Sequence, residues 1–239
     1  MQKILAARSI FPDIVEHFEQ HFEVDWNDGD MLPHEALTAR LADKDGALTT
    51  GDPISAATPR LRVVANMAVG YNNFNMAAFN AANVFGTYTP DVLNETTADF
   101  GWALMMATAR HIVEFEHWLR SGQWRKWFFY SFLGSEVYGA MLGVIGMGRI
   151  GQALDETLCE RRIAATSSDM FEGVPSGYLV LLEVLIMVLT PHIASATEAV
   201  HRAIANLAVD NLIAVLGIEP CTGRSPNPVH PDVISKARA

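Results

Sequence analysis

The sequence predicts an α/β protein in which helices cover a parallel sheet and a second domain follows. Short β-rich runs alternate with helical patterns over residues 3–88, which is the rhythm of a parallel sheet. A short apolar strand, a glycine turn and an amphipathic helix follow at 141–158. The chain has 239 residues, 50% of them hydrophobic, so it can bury a sizeable core in one large or two small domains.

The first part of the chain supplies the elements of this sheet. Predicted strands lie at 4–7, around Val24, and at 47–50, 62–65 and 84–88. Predicted helices lie at 13–22, 34–41 and 75–82. His17 and His21 lie four residues apart on the first of these helices. No third ligand accompanies them in the sequence, so we expect a solvated helix face and no metal site.

A long amphipathic helix is predicted next, over residues 96–118. The pattern TTAD at 96–99 is a capping box, and apolar residues recur behind it at three- and four-residue steps until Gly122. Crowded aromatic residues follow at 124–132. So much aromatic surface in a connecting segment is typical of a subunit or domain contact. We therefore expect a homodimer with this segment buried between the subunits.

Charge and cysteine content weigh against several functional classes. The formal net charge of -10 at pH 7 leaves no basic stripe for a phosphate backbone or an anionic lipid surface, so neither nucleic acid nor membrane is expected as a partner. The most hydrophobic stretch, 178–189, is interrupted by Glu183 and is shorter than the roughly 20 residues that span a bilayer. Cys159 and Cys221 lie in unrelated contexts, which favours a reducing compartment. We expect the protein in the cytoplasm.

The turn at 146–151 predicts a dinucleotide site. Glycines at G-x-G-x-x-G spacing let the backbone turn sharply and approach a pyrophosphate, and the following helix N-terminus supplies N–H donors. The apolar run before the turn, and the spacing of Ile150, Leu154 and Leu158 after it, meet the required strand and helix context. The residues assigned to the cofactor are Gly146, Met147, Gly148, Arg149, Ile150 and Gly151.

The last predicted helix begins at a second capping box, in which Ser195 is the cap and Glu198 is the acidic residue three positions later. The apolar spacing behind this box continues to Gly217, where the helix is expected to end. The tail beyond Gly217 contains four prolines and is expected to be irregular.

Five motifs occur in one order along nearly the whole chain. They are VGYNN at 69–73, TTAD at 96–99, LGVIGMGRIG at 142–151, SDMFEG at 168–173 and LTPHIASAT at 189–197. In that order they resemble the motifs of D-2-hydroxyacid dehydrogenases, in particular those of the glyoxylate/hydroxypyruvate reductase branch. Five ordered motifs are far more specific than one glycine turn.

This resemblance implies two domains and a nicotinamide cofactor. A flavodoxin-like substrate domain would occupy residues 1–97, completed by 198–239, and a Rossmann-type NAD(P)-binding domain would occupy 98–197. The cofactor would be NAD or NADP, with NADP favoured by the branch. Thr97 would contact the cofactor, and Asp169 would lie near its nicotinamide carboxamide.

The resemblance also implies the substrate and its ligands. The substrate would be a small 2-keto acid, such as glyoxylate or hydroxypyruvate, or the matching 2-hydroxy acid. The backbone of Val69 and Gly70 would hold its carboxylate. His192 would be the acid that protonates the carbonyl oxygen as hydride arrives, chemistry that suits an imidazole titrating near neutrality. Ser195 would lie beside it at the substrate.

Several structural units and catalytic residues of that family are missing from this sequence. His192 follows Gly151 by 41 residues, room for one or two βα units of roughly 30 residues, whereas a complete doubly wound domain needs about five further strands. The family's catalytic arginine has no counterpart, since Ala109-Arg110 only mimics its motif inside a predicted helix. Val174 stands where the family has the glutamate that pairs with the histidine. We therefore expect a shortened nucleotide-binding domain and impaired turnover; the alternative is a catalytically inactive remnant that dimerises or binds the cofactor weakly.

Overall fold

The computed structural model describes residues 1–50, 59–127, 129–131, 133–144, 148–158, 167–168, 188–217 and 227–229. The chain divides into two compact units. Unit 1 consists of Met1–Val92 and Glu198–Ala239, and unit 2 consists of Leu93–Thr197. The boundaries expected from the sequence lie at 97/98 and 197/198. The first division falls earlier because the whole helix that begins at Asn94 belongs to unit 2.

Unit 1 is built on five parallel strands. In chain order, the strands of the two units are β1 (Lys3–Ala6), β2 (Glu23–Trp26), β3 (Gly46–Thr49), β4 (Val63–Asn66), β5 (Phe85–Thr87), β6 (Ser167–Ser168) and β7 (Val188–Leu189). The order across the sheet of unit 1 is β2-β1-β3-β4-β5, and every neighbouring pair is parallel. The α/β fold class is thereby confirmed, and each of these five strands lies at or next to its predicted position.

Helices cover both faces of this sheet. In chain order, the helices are α1 (Pro12–Glu19), α2 (His34–Leu41), α3 (Met76–Ala82), α4 (Asn94–Ala109), α5 (Ile112–Arg120), α6 (Arg149–Leu158) and α7 (Glu198–Leu216). On one face, Phe18 of α1 and Leu212 of α7 belong to one buried cluster. On the other face, Leu37 of α2 and Phe79 of α3 belong to a second. Two complete apolar layers therefore hold the sheet from both sides.

The helix α7 and the tail behind it both pack on the sheet. By length and composition alone α7 would also suit a bilayer, but its inner face is buried in the core of unit 1. Its Asn211 donates a hydrogen bond to Tyr88 O and accepts one from Asn227 N, both 3.1 Å long. Residues 227–229 pair with β5 through an antiparallel bridge between Pro228 and Thr87. These three residues form one isolated bridge and no helix or strand, which agrees with the expectation of an irregular tail, and Asn211 fixes them against the sheet.

Unit 2 contains α4, α5, α6 and the short parallel pair β6–β7. Helix α4 packs on α6, and the approach is close at Gly101, where an added Cβ would lie 3.7 Å from Leu154. A small cluster of Met105, Ala109 and Val137 is buried beneath them. Among the described residues of unit 2, no second cluster of this kind accompanies it.

The single long helix predicted over 96–118 is wrong in two respects. It begins at Asn94, with the amide of Thr97 donating to Leu93 O, so residue 96 lies inside the first turn and is not the cap. It also breaks after Ala109, because His111 adopts a left-handed backbone conformation with φ of 52°. The apolar spacing continues across this break, so α5 resembles an extension of α4 in the sequence alone.

Charged side chains surround the amino ends of the strands in unit 1. Arg40 and Lys44 both contact Asp25. The pKa of Asp25 is lowered, mainly by the hydrogen bond from Arg40. Lys44 and Lys3 both contact Asp43, the latter at 3.0 Å. These hydrogen bonds, led by that from Lys44, lower the pKa of Asp43 to about 2. The amino ends of the strands are consequently stabilised by ionised carboxylates.

Candidate functional site

The loop that carries Val69 and Gly70 follows β4 and is held by hydrogen bonds from buried residues. The side chain of Asn66, the last residue of β4, is fully buried and donates to Gly70 O at 2.7 Å and to Asn73 Oδ1 at 3.3 Å. The amide of Thr89 donates to Ala68 O at 3.1 Å. Two carbonyl groups of the loop are therefore directed inward to fixed donors.

The outer side of this loop is open. Val69 is half-buried, whereas Gly70 and Tyr71 are exposed. Within the part of the chain that the structure describes, the amides of these three residues donate no hydrogen bond. A Cβ added to Gly70 would meet nothing closer than Asn72 Oδ1 at 3.7 Å, so glycine leaves free space above the backbone here. Free N–H groups beside open space form a suitable cradle for a small carboxylate.

His192 lies in unit 2, shortly after β7. Its side chain is exposed, and its backbone is left-handed with φ of 56°. Histidine tolerates this region better than most residues, but the conformation still costs energy, and backbone strain of this kind clusters at active sites. In the described residues, the imidazole makes no hydrogen bond or ion pair. It is consequently available to donate a proton to a bound group.

Ser195 does not cap a helix, so the expected capping box is wrong. Helix α7 begins only at Glu198. The carbonyl of Ser195 accepts a hydrogen bond from Thr197 N at 2.8 Å, and the amide of Ala196 donates to Ile193 O at 2.9 Å. These bonds form a turn that ends before the helix starts. The hydroxyl of Ser195 therefore has no structural role at a helix end, and its place at the substrate stays a prediction.

The second half of the glycine turn leads into α6. Arg149, Ile150 and Gly151 form its first turn, and the amide of Gln152 donates to Gly148 O at 2.9 Å. Among the described residues, a Cβ added to Gly148 would have no neighbour within 4 Å, which leaves space for a ligand to approach the backbone here. An open glycine directly before a helix N-terminus suits a pyrophosphate.

The remaining cofactor residues are divided between described and undescribed parts of the chain. Thr97 lies in the first turn of α4, in the same unit as Gly148. Gly146, Met147 and Asp169 lie outside the described residues. So does Val174, which occupies the position of the family's glutamate.

Arg110, which only mimics the family's arginine motif, follows the last residue of α4. It is exposed, and its own amide donates to Met106 O at 3.1 Å as part of the helix end. The absence of a strand at this position agrees with the expectation that Arg110 is not the family's catalytic residue. The sequence analysis also missed Asn66, for which the only signal was an amide at the end of the apolar run of β4.

Comparison with known proteins identifies the family. The model of the D-isomer specific 2-hydroxyacid dehydrogenase catalytic domain matches residues 4–226. A glyoxylate reductase from Thermococcus kodakarensis is 40% identical over 162 residues, which is 64% of this chain and 49% of that protein. This chain therefore spans about half the length of the curated relatives it matches.

Solved structures share the fold. The TT0316 protein of Thermus thermophilus superposes with a TM-score of 0.81 at 26% identity, over 95% of this chain and 100% of that one. The NADPH-dependent glyoxylate/hydroxypyruvate reductase of Sinorhizobium meliloti, in complex with NADP and malonate, superposes with a TM-score of 0.79 at 24% identity, over 95% and 96% of the two chains. From the family match over most of its length, the chain belongs to the D-isomer specific 2-hydroxyacid dehydrogenase family.

Proposed function

We propose that this protein reduces a small 2-keto acid, such as glyoxylate or hydroxypyruvate, with a reduced nicotinamide cofactor. The observation that carries the proposal is the loop at Val69 and Gly70, whose amides are free and whose outer side is open. The glyoxylate reductase of Thermococcus kodakarensis, 40% identical over 162 residues, supports a two-carbon keto acid as the first substrate to test. The short substrate would present its carboxylate to this loop.

His192 would supply the proton. When bound, the nicotinamide supplies hydride to the carbonyl carbon. The carbonyl oxygen then gains negative charge, and an exposed imidazole can transfer its proton to that oxygen. A left-handed backbone conformation at His192 fixes the direction in which its side chain leaves the chain.

The cofactor would be held by Gly148 and the first turn of α6. The open space at Gly148 and the N-terminal end of the helix dipole both favour a pyrophosphate. We propose NADP over NAD because the motifs resemble the glyoxylate/hydroxypyruvate reductase branch. A binding isotherm with NADPH tests this, and we expect Gly148→Val to weaken the affinity. Gly143→Val is the matched control, because a Cβ added to Gly143 also has no described residue within 4 Å.

Turnover would be slow. The family uses an arginine to orient the carboxylate and polarise the ketone, and Ala109-Arg110, at the end of α4, only mimics its motif. Loss of one preorganised donor of this kind typically costs about 10²- to 10³-fold in rate. A weak but measurable reductase is therefore the expected result.

The decisive experiment measures oxidation of NADPH by the purified protein with glyoxylate. We expect slow turnover that is lost in His192→Ala. His111→Ala is the matched control, because His111 lies in the same unit and also has a positive φ, of 52°. Turnover that survives His192→Ala would contradict the assigned role, and absence of both turnover and NADPH binding would favour the inactive remnant.

We also propose that the protein is a homodimer. Helix α5 has an amphipathic sequence but no buried residue, and Ile112 and Leu119 are more than half exposed. Trp127 and Phe129, whose rings meet edge to face at 6.1 Å, are 69% and 75% exposed. An apolar surface of this kind is typical of a contact between proteins. Sedimentation that shows a well-folded monomer at micromolar concentration would contradict this proposal.

A further inference from the structure

We infer that Asn66 is the positioning residue of the substrate loop, and that the amide of Tyr71 joins that of Val69 in holding the substrate carboxylate. The inference rests on the proposed function, since it specifies how the loop at Val69 and Gly70 would bind a keto acid. It adds one residue that does not touch the substrate and one backbone donor.

The direction of the Tyr71 amide follows from the geometry of the peptide bond. A trans peptide is planar, so its C=O and N–H point in opposite directions. The carbonyl of Gly70 points to the buried side chain of Asn66, 2.7 Å from Nδ2. The N–H of the same peptide belongs to Tyr71 and must therefore point away from Asn66.

The peptide two residues earlier has the same arrangement. The carbonyl of Ala68 accepts a hydrogen bond from the amide of Thr89, another fully buried residue. The N–H of that peptide belongs to Val69 and therefore points away from the buried side. Both inward carbonyls are held by donors at the carboxyl end of the sheet, so the two amides share one outer side of the loop.

Neither amide is used by the described residues of the protein. In the part of the chain that the structure describes, Val69 N and Tyr71 N donate no hydrogen bond, and Tyr71 is exposed. The ring of Tyr71 contacts that of Tyr88 edge to face at 5.6 Å, which holds the side chain to one side. Two free donors with a glycine between them match the two oxygens of a carboxylate.

The chemistry of Asn66 explains why this position needs an amide side chain. Its NH₂ group supplies two donors, one for Gly70 O and one for Asn73 Oδ1. An aspartate of the same size would place a charged acceptor against the Gly70 carbonyl. A serine would be neutral but too short to reach it. Either change releases the Gly70–Tyr71 peptide, so the Tyr71 amide loses its fixed direction.

The carboxylate does not change during the reaction, so this contact acts equally on substrate and transition state. Loss of such uniform binding raises KM and leaves kcat nearly unchanged. Hydrogen bonds to a charged group contribute enough that losing one weakens binding by roughly ten- to hundredfold. This split separates a positioning role from loss of the proton donor, which would lower kcat.

The test is a titration of ¹⁵N-labelled full-length protein with glyoxylate, followed by amide chemical shifts. We expect the Val69 and Tyr71 resonances to move, and glycolaldehyde, which lacks the carboxylate, to leave them in place. Asn66→Ser and Asn66→Asp should weaken glyoxylate binding by roughly ten- to hundredfold. Asn75→Ala is the matched control: it removes the cap of α3, where Asn75 Oδ1 accepts from Ala78 N, without touching the loop.

The outcomes separate this inference from the proposed function. A Tyr71 resonance that does not move in the unaltered protein overturns the inference, and this readout does not depend on any variant folding. Glyoxylate binding that is unchanged in Asn66→Ser also overturns it, even if NADPH is still oxidised with dependence on His192. Movement of both amides in a protein that oxidises no NADPH supports the inference and removes the proposed function.

Discussion

The two units contain aromatic residues at opposite extremes of solvent exposure. In unit 1, Phe18 and Phe79 are 0% exposed, each inside one of the two apolar layers of the sheet. In the described part of unit 2, Trp127, Phe129 and Tyr130 are 69%, 75% and 83% exposed. Similar residues therefore complete a core in one unit and form a surface in the other. Aromatic content alone does not show whether a segment stabilises its own fold or a contact with another molecule.

The largest expected effect comes from truncating an aromatic residue in the core of unit 1. Phe79→Ala should destabilise unit 1 by about 3–5 kcal/mol, because the ring is fully buried between α3 and the sheet. Phe129→Ala is the matched change in unit 2 and should leave unit 1 within about 0.5 kcal/mol. Amide hydrogen exchange of β3 and β4 measures both. Similar losses of protection in the two variants would mean that the contrast between the units is wrong.

The exposed aromatic surface should matter for association instead of folding. Trp127→Ser should weaken the proposed dimer by about 2 kcal/mol or more, since a buried aromatic residue at an interface often contributes this much. Sedimentation equilibrium over a range of concentrations measures the effect. An unchanged dissociation constant, with a dimer still present, would place the contact elsewhere on the protein.

Two glycines, Gly46 in unit 1 and Gly143 in unit 2, test the same difference in packing between the units. A Cβ added to Gly46 would lie 2.8 Å from Ile4 Cδ1 and 3.1 Å from Val63 Cγ1, both in fully buried side chains. Gly46→Ala should therefore destabilise unit 1 by about 1–3 kcal/mol. Gly143→Ala, in unit 2, adds a methyl group with no neighbour within 4 Å in the described part of the chain and should change stability little. Denaturant midpoints of the two variants, followed by far-UV circular dichroism, test this difference.

The smallest expected effect is a decrease in the stability of unit 1 at low pH. Asp43 has its pKa lowered from 3.8 to about 2, first by the hydrogen bond from Lys44 and then by that from Lys3. A lowered pKa means that the folded state favours the ionised carboxyl. This stabilisation is complete above pH 3.8 and is lost as the pH falls towards 2. Asp43→Asn should flatten the decline of stability over this range, and a decline of equal slope in the variant would contradict the assignment.

Periodicity predicted the elements of unit 1 well because each strand and helix there has a single buried side. Helix α2 lies at the predicted residues 34–41, and its buried Leu37 and Leu41 are four positions apart. The same reasoning failed at His111, where the apolar spacing continues through a break. A left-handed residue interrupts the helix without changing which side chains are apolar, so only the backbone shows it.

The candidate site was less predictable because backbone groups form much of it. The motif at 69–73 indicates a loop, but not which peptide planes face outward. That depends on Asn66 and Thr89, which come from the ends of different strands and meet only in the folded sheet. The serine and glutamate of the expected box at Ser195 have the right spacing, yet a turn at Ser195 delays the helix to Glu198. Local spacing cannot show such a competition between a turn and a cap.

The pairing of residues 227–229 with β5 has a consequence for how copies of this protein meet. The last strand of a sheet normally offers unpaired groups to any other extended chain, which is a route to aggregation. Here a segment already pairs along β5, and its Pro228 has no N–H to offer a further strand. At the opposite edge, β2 carries the charged residues Glu23 and Asp25. The sheet of unit 1 is thus protected at both edges against pairing with another extended chain.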